Sequence, residues 1–305
     1  MQCFKLVMFL LAICSFSDAS SVEAQSQIRR PAPRLVRSSL ETTQNAYYGR
    51  EFYEKINNGS RDLPLKSMLK NILTANHIKV TDDFDQILTE SCSSRPGCYR
   101  HRAIGYDNAR LFLMGYYYLV QTSTGYGVRE VYCGRIYSQS EFGNEPPAPQ
   151  KIPNGNIVNT EHTWPQSRFN PKASIEEQKS DLHHLFPTDS QLNSVRGNHE
   201  FGQVTMVTEK LRCSASKAGH SKANSGIVFE PPDAHKGNAA RAIFYFSTRY
   251  NLPISLAEET VLKSWNQLDP VDQEELTRND AIFKVEGSRN PYVDYSELAD
   301  RISDF

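Results

Sequence analysis

The sequence predicts a mixed α+β domain, mostly helical, around a small β-sheet. Three observations carry that class. Apolar residues recur at helical spacing in several windows, most clearly Leu65, Met68, Leu69, Ile72 and Leu73. Short aromatic and β-branched runs flank turn residues, which is a hairpin pattern. Strand content is low, and strands and helices do not alternate as β-α-β units.

Taken in order, the chain opens with Lys5, an apolar run over residues 6–16, and Val22-Glu23-Ala24 ahead of Gln25. This is the pattern of a cleaved secretory signal over residues 1–24. The run is far short of the roughly 20 residues that span a bilayer, so no membrane anchor is expected. Residues 25–44 carry basic and Pro residues without apolar periodicity and read as a flexible lead-in. Residues 45–305 hold no internal repeat or low-complexity linker and read as one domain.

Within it, helices are expected over 46–57, over the Leu65–Leu73 stripe and over 106–115. Runs at 117–121 and 128–133 flank Ser123-Thr124-Gly125 as a hairpin, and the Pro-rich stretch 138–156 reads as an irregular loop. Ile157-Val158-Asn159-Thr160 reads as a short strand running into Glu161-His162-Thr163-Trp164-Pro165. Thr188 with Gln191 three residues on makes a capping box, so a helix is expected there, closed by Gly197. Asn193 and Arg196 then share one face of that helix. Ala239, Ala242, Ile243 and Phe246 form another stripe. Ser255 and Glu258 cap a further helix, and Asp269-Pro270 marks a last helix start.

Removing residues 1–24 takes Lys5, Asp18 and Glu23 from the 34 basic and 35 acidic residues, leaving 33 of each. Net charge therefore announces no polyanion partner, and any such footprint is local. One local candidate is six arginines (95, 100, 102, 110, 129, 135) against Asp107 and Glu130 between residues 95 and 135. Cys92, Cys98, Cys133 and Cys213 survive processing. An even number in an exported chain favours disulfides over zinc, since no C-x-x-C spacing is present. Of the three connectivities, the short loop Cys92–Cys98 with the long loop Cys133–Cys213 is preferred.

The chemistry concentrates on Glu161, His162 and Asn193. A carboxylate and an amide carbonyl are hard oxygen donors of the kind Mg²⁺ accepts while keeping several waters. A neutral imidazole beside them can take a proton from water. Adjacent strand residues point to opposite sides, which suits a metal ligand next to a general base. Such a set fits in-line phosphodiester cleavage, with a nearby arginine to offset charge on the phosphoryl oxygens.

Residues 159–167 (NTEHTWPQS), 180–189 (SDLHHLFPTD) and 193–202 (NSVRGNHEFG) together resemble the signature of the bacterial endonuclease I family. Val131-Tyr132-Cys133-Gly134-Arg135, residues 229–250 and Gly287-Ser288-Arg289-Asn290-Pro291 agree with it. The resemblance spans roughly residues 45–300. It implies a periplasmic or secreted, monomeric endonuclease with a ββα-metal (His-Me finger) site, cutting DNA, and RNA as a second candidate, with little sequence preference. His162 would be the general base. Glu161 and Asn193 would hold one Mg²⁺, with Mn²⁺ or Ca²⁺ as substitutes, and the ends would be 5′-phosphate and 3′-hydroxyl. Some members supply the phosphate-stabilising arginine from an insertion after the EH motif. This chain is short there, with 18 residues between His162 and Asp181, so Arg196 is the first choice and Arg168 the second. Arg289 is expected either to contact substrate or to tie down the C-terminal helices.

Two other readings compete. A zinc hydrolase would use His162, His183 and His184, although H-E-x-x-H is absent and Asn193 would have no role. A nucleic-acid-binding protein with a decayed site is disfavoured by the intact Glu161, His162 and Asn193.

Overall fold

The computed structural model of the chain describes residues 46–305, so the expected signal and lead-in lie outside the described residues. Helix α1 (Gly49–Asn57) leads to α2 (Asp62–Thr74), which buries Leu65, Met68, Leu69, Ile72 and Leu73, the five residues of the stripe. Strand β1 (Asn76–Ile78) pairs antiparallel with both β2 (Gln86–Leu88) and β3 (Cys98–Tyr99). Helix α3 (Tyr106–Phe112) runs into one π-type turn, Leu113–Tyr117, and then a meander of β4 (Leu119–Thr122), β5 (Gly125–Arg129) and β6 (Ile136–Ser138). The hairpin turn is the expected one, but β5 begins at Gly125 rather than Val128, because Thr122 pairs with Gly125 across the two turn residues.

Strands β7 (Val158–His162) and β8 (Leu185–Asp189) form an antiparallel pair, with helix α4 (Ile175–Ser180) in the connection between them. Helix α5 (Ser190–Arg196) follows β8 directly. A sheet of β9 (Glu200–Phe201), β10 (Met206–Val207), β11 (Lys217–His220) and β12 (Ile227–Glu230) then forms in the order β10-β11-β12-β9. The chain ends in α6 (Asp233–Tyr250), α7 (Leu256–Leu268), α8 (Gln273–Glu286) and the short α9 (Pro291–Asp294). No helix of the described residues is long and apolar enough to cross a membrane.

The class is mixed α+β, as expected, but the strand content was under-read. Among the described residues, twelve strands in four small sheets replace the single small sheet. Strands of two to five residues are too short to leave a period-two signature. Two helix starts also move. Helix α5 is capped by Asp189, whose Oδ1 accepts from Gln191 N (2.8 Å) and Leu192 N (3.1 Å), while Thr188 stays in the strand. Helix α8 starts at Gln273 behind Asp272, which accepts from Glu275 N at 2.8 Å, so Asp269 ends the preceding helix instead. The Ser255 cap and the Gly197 terminator fall as expected. Asp189, one residue nearer the helix than Thr188, stands at the N-cap itself.

Helix α6 is the core. Fourteen of its eighteen residues are buried, which a helix apolar on nearly every face requires. It packs on α2, α7 and the turn at 182–184. Its one close pass is at Gly237, where a Cβ would meet Asp269 O at 2.0 Å. Its buried Arg241 holds Glu275 of α8 through two N–H bonds of 2.8 and 2.5 Å. Disulfides join Cys92 to Cys98 and Cys133 to Cys213, the preferred pairing.

Loop-closure entropy ranks the two bonds. The Cys133→Ala/Cys213→Ala variant should lose about 4 kcal/mol of unfolding free energy, and Cys92→Ala/Cys98→Ala about 2 kcal/mol. Denaturant midpoints measured side by side check this; equal losses refute the ranking.

Candidate active site

The β7–β8 pair and α5 place the three candidate residues together. In the pair, Glu161 lies opposite Phe186 and His162 opposite Leu185. Because α5 begins at Ser190, its second turn folds back over β7. There Asn193 Nδ2 donates to Asn159 Oδ1 (2.7 Å) and to Thr160 O (3.1 Å). The Asp189 cap that starts the helix is itself held by Tyr137 OH and by Arg212 Nη1 at 2.9 Å. Glu161, His162 and Asn193 share the wall of one open cleft of about 340 Å³, with Asn159, Gln166 and Asn198.

His162 is nearly buried, 7% exposed. Its Nε2 lies 3.1 Å from Lys179 O, an acceptor only, so Nε2 carries the proton and Nδ1 carries the lone pair. Gln166 Nε2 donates to Nδ1 at 3.3 Å from the cleft side. Tyr106, Phe169 and His184 surround the ring at centroid distances of 5.4, 6.1 and 5.5 Å. Burial, joined by the positive charges of Lys179 and Arg196, lowers its pKa to about 4, so the ring is neutral at physiological pH.

Glu161 points to the other side of the strand and is 1% exposed. Burial raises its pKa, and Arg196 with the Tyr132 hydroxyl pulls it back. Arg196 Nη1 lies 2.8 Å from Glu161 Oε1. The N–H bonds of that guanidinium, however, run to His162 O (2.9 Å) and Thr163 O (2.5 Å). Glu161 Oε1 is therefore a buried oxygen with a Coulombic partner and no aligned donor. Asn193 has its amide nitrogen committed to β7, which leaves Oδ1 as the acceptor it offers. Two hard oxygen donors, one of them unsatisfied, fit a cation that keeps most of its water.

Arg196 and Arg168 do not line the cleft, and Arg289 takes the second of its two expected roles. Arg196 is 1% exposed, bonded to backbone and stacked 4.6 Å over Phe201. It positions β7 and neutralises Glu161 rather than touching a phosphate. Arg168 lies 3.4 Å from Glu258 and 5.0 Å over the Trp164 ring. Arg289 is 1% exposed and held by Asp294 at 2.7 and 2.8 Å and Asp280 at 2.7 Å, so it ties the C-terminal helices. The three imidazoles of the zinc reading do not converge either. His183 bonds Ser288 O (3.0 Å) and His184 bonds Gln178 O (2.8 Å). No group of three or more His, Cys, Asp or Glu suited to a metal exists among the described residues. Trp164 is core, stacked on Phe246 at 5.4 Å.

The six-arginine stretch does not form one patch: Arg95, Arg110, Arg129 and Arg135 each pair with a separate carboxylate. Gln166 and Tyr106, which frame His162, escaped the sequence reading. Gln166 lies four residues past the histidine in the quoted motif, whereas Tyr106 had no local signal at all.

Two measurements follow. In the metal-free protein, His162 should titrate near pH 4 by NMR, and a midpoint near 6.5 would mean a solvated ring. Since the folded value lies below the unfolded one, this group disfavours folding as pH falls from 6.5 toward 4. Arg196→Met should cost about 3–5 kcal/mol by leaving Glu161 buried without its cation. Adding Glu161→Gln should recover much of that loss; no recovery would break the pairing argument.

The family model for endonuclease I matches residues 64–297. Among relatives, the extracellular ribonuclease of Bacillus amyloliquefaciens is 34% identical over 175 residues, 50% of this chain and 57% of that protein. Endonuclease-1 of Buchnera aphidicola subsp. Acyrthosiphon pisum is 32% identical over 128 residues, 40% of this chain and 49% of that protein. The periplasmic deoxyribonuclease of Aeromonas hydrophila is 25% identical over 122 residues, 40% and 50% of the two chains. The chain spans about half the length of the curated relatives it matches. With the family match running through the hairpin, the capped helix and the buried core that supports them, the chain belongs to the endonuclease I family.

Proposed function

We propose that the protein is an exported, metal-dependent endonuclease that hydrolyses phosphodiester bonds of DNA and RNA with little sequence preference, leaving 5′-phosphate and 3′-hydroxyl ends. The observation that carries this reading is a neutral, tautomer-fixed imidazole sharing one cleft with two hard oxygen donors. His162 Nδ1 accepts the proton of a water in the cleft once that water displaces the long 3.3 Å bond from Gln166, which otherwise holds that side of the ring. The bond from Nε2 to Lys179 O keeps the lone pair on Nδ1 and stabilises the imidazolium that forms. Glu161 and Asn193 would hold one Mg²⁺, which supplies charge neutralisation to the phosphate and the departing 3′ oxygen. Such a site on β7, β8 and α5 would be a ββα-metal arrangement.

Relatives named both ribonuclease and deoxyribonuclease support a site that acts on the phosphodiester and leaves the sugar unread. Extracellular and periplasmic relatives and two disulfides support export to an oxidising compartment.

Plasmid cleavage tests the reading. EDTA should abolish activity and Mg²⁺ restore it. His162→Ala should lower kcat by about 10²–10⁴-fold, the usual span for a general base, and Asn193→Ala should raise the Mg²⁺ needed for half-maximal rate. Wild-type cleavage indifferent to chelation would sink the mechanism.

A further inference from the structure

A second opening, larger than the cleft at His162, lies elsewhere among the described residues. It is an open groove of about 1470 Å³ bounded by α2, the β1–β3 sheet, α8 and one side of α4. Helix α4 divides the two. Its Lys179 carbonyl bonds His162 in the cleft, while Ser174 and Glu177 line the groove.

Cations outnumber carboxylates on the groove wall. Lys70, Lys79, Arg100, Arg102, Lys172 and Lys284 line it. All but Lys70, which is half-buried, are exposed. The carboxylates that line it are already engaged. Asp85 accepts from Tyr99 OH and Glu177 binds Arg249 at 2.5 Å. Glu286 is fully buried and accepts from Leu182 N at 3.1 Å. The cations accordingly act on the groove rather than on one another's partners. Two further features point to a ligand. The rings of Tyr99 and Phe283 line the same groove. The His101 side chain, 3% exposed, uses Nδ1 on Ser288 Oγ at 2.8 Å, and its Nε2 has no aligned partner, with Glu177 Oε1 at 3.9 Å.

We infer that this groove binds a single-stranded stretch of nucleic acid, cations on the phosphates and aromatic rings against the bases, as a site separate from the catalytic cleft. Rows of cations interleaved with aromatic faces are the chemistry that single strands take, whereas a duplex hides its base faces. The inference rests on the nuclease reading for its choice of polyanion. It explains why the chain is neutral overall yet needs no arginine patch around the cleft. Binding there tethers a strand beside α4 while another stretch enters the cleft. Phosphate contacts carry no sequence information, so the site adds hold without adding specificity.

The test is binding of a labelled 30-nucleotide single strand in EDTA, where no cleavage occurs, as a function of salt. Lys79→Glu/Arg100→Glu/Lys284→Glu should weaken binding at least tenfold near 0.1 M salt and flatten the slope of log K against log salt by about 2, three contacts at about 0.7 each. Lys55→Glu/Arg61→Glu/Lys222→Glu, the same charge change outside the groove, should do much less. Equal losses in the two variants, or none in the first, overturn the site. A loss as large for a 30-base-pair duplex overturns the single-strand assignment. If the reversal variant does not fold, Lys79→Gln/Arg100→Gln/Lys284→Gln removes the same cations and is read the same way. Plasmid cleavage by the wild type separates the two ideas. Binding that depends on the groove without any cleavage sinks the nuclease reading alone, and cleavage with groove-independent binding sinks the groove alone.

Discussion

The geometry of the cleft depends on a carboxylate that never touches it. Asp181 is fully buried. It accepts from Tyr245 OH (3.0 Å), Tyr250 OH (2.8 Å) and His183 N (3.1 Å), with Arg249 Nε at 3.6 Å. Three of those four groups belong to α6, so Asp181 fastens the segment after α4 to the core helix. The last turn of α4, just before it, carries the carbonyls of Gln178 and Lys179, which fix the rings of His184 and His162. Burying a carboxylate is costly unless donors surround it. Burial raises Asp181, and Arg249 with the hydroxyls and the backbone bond lowers it again. The tautomer of His162 is therefore set two steps away, by how α6 meets this turn.

The same logic separates Glu161 from His162. They are neighbours in β7, but the strand sends their side chains to opposite sides, into unlike surroundings. Glu161 meets a guanidinium and a phenol, and His162 meets three rings and a carbonyl. Arg196 serves both, neutralising one and bonding the backbone oxygen of the other. A cation placed there to organise the strand is lost to the substrate.

Much of this was legible in the sequence. The α2 stripe, the Ser255 cap and the cluster of Glu161, His162 and Asn193 all follow from local spacing or motif. What was not legible depends on tertiary partners. Arg196 sits on the expected face of α5, yet periodicity cannot say whether that face meets solvent or Phe201. Arg168 reads as a free cation because Glu258 lies 90 residues away, and of the two roles open to Arg289 only the tertiary partners select the tie to the C-terminal helices. The sheets of β1–β3 and β9–β12 escape the sequence for a related reason. Strands as short as β9 exist only because β12 is beside them.

One feature of the core has a temporal side. The hairpin turn that orients the imidazoles is held by residues about a hundred positions further on: Glu286 receives Leu182 N, and Ser288 O meets His183. Arg278 likewise reaches back to the carbonyls of Leu182 and Leu185. Such contacts are paid in loop-closure entropy before they reward the fold. A chain emerging from its N-terminus carries Glu161, His162 and Asn193 long before it carries their supports. The cleft therefore cannot acquire these supports until residues 278–288 have appeared.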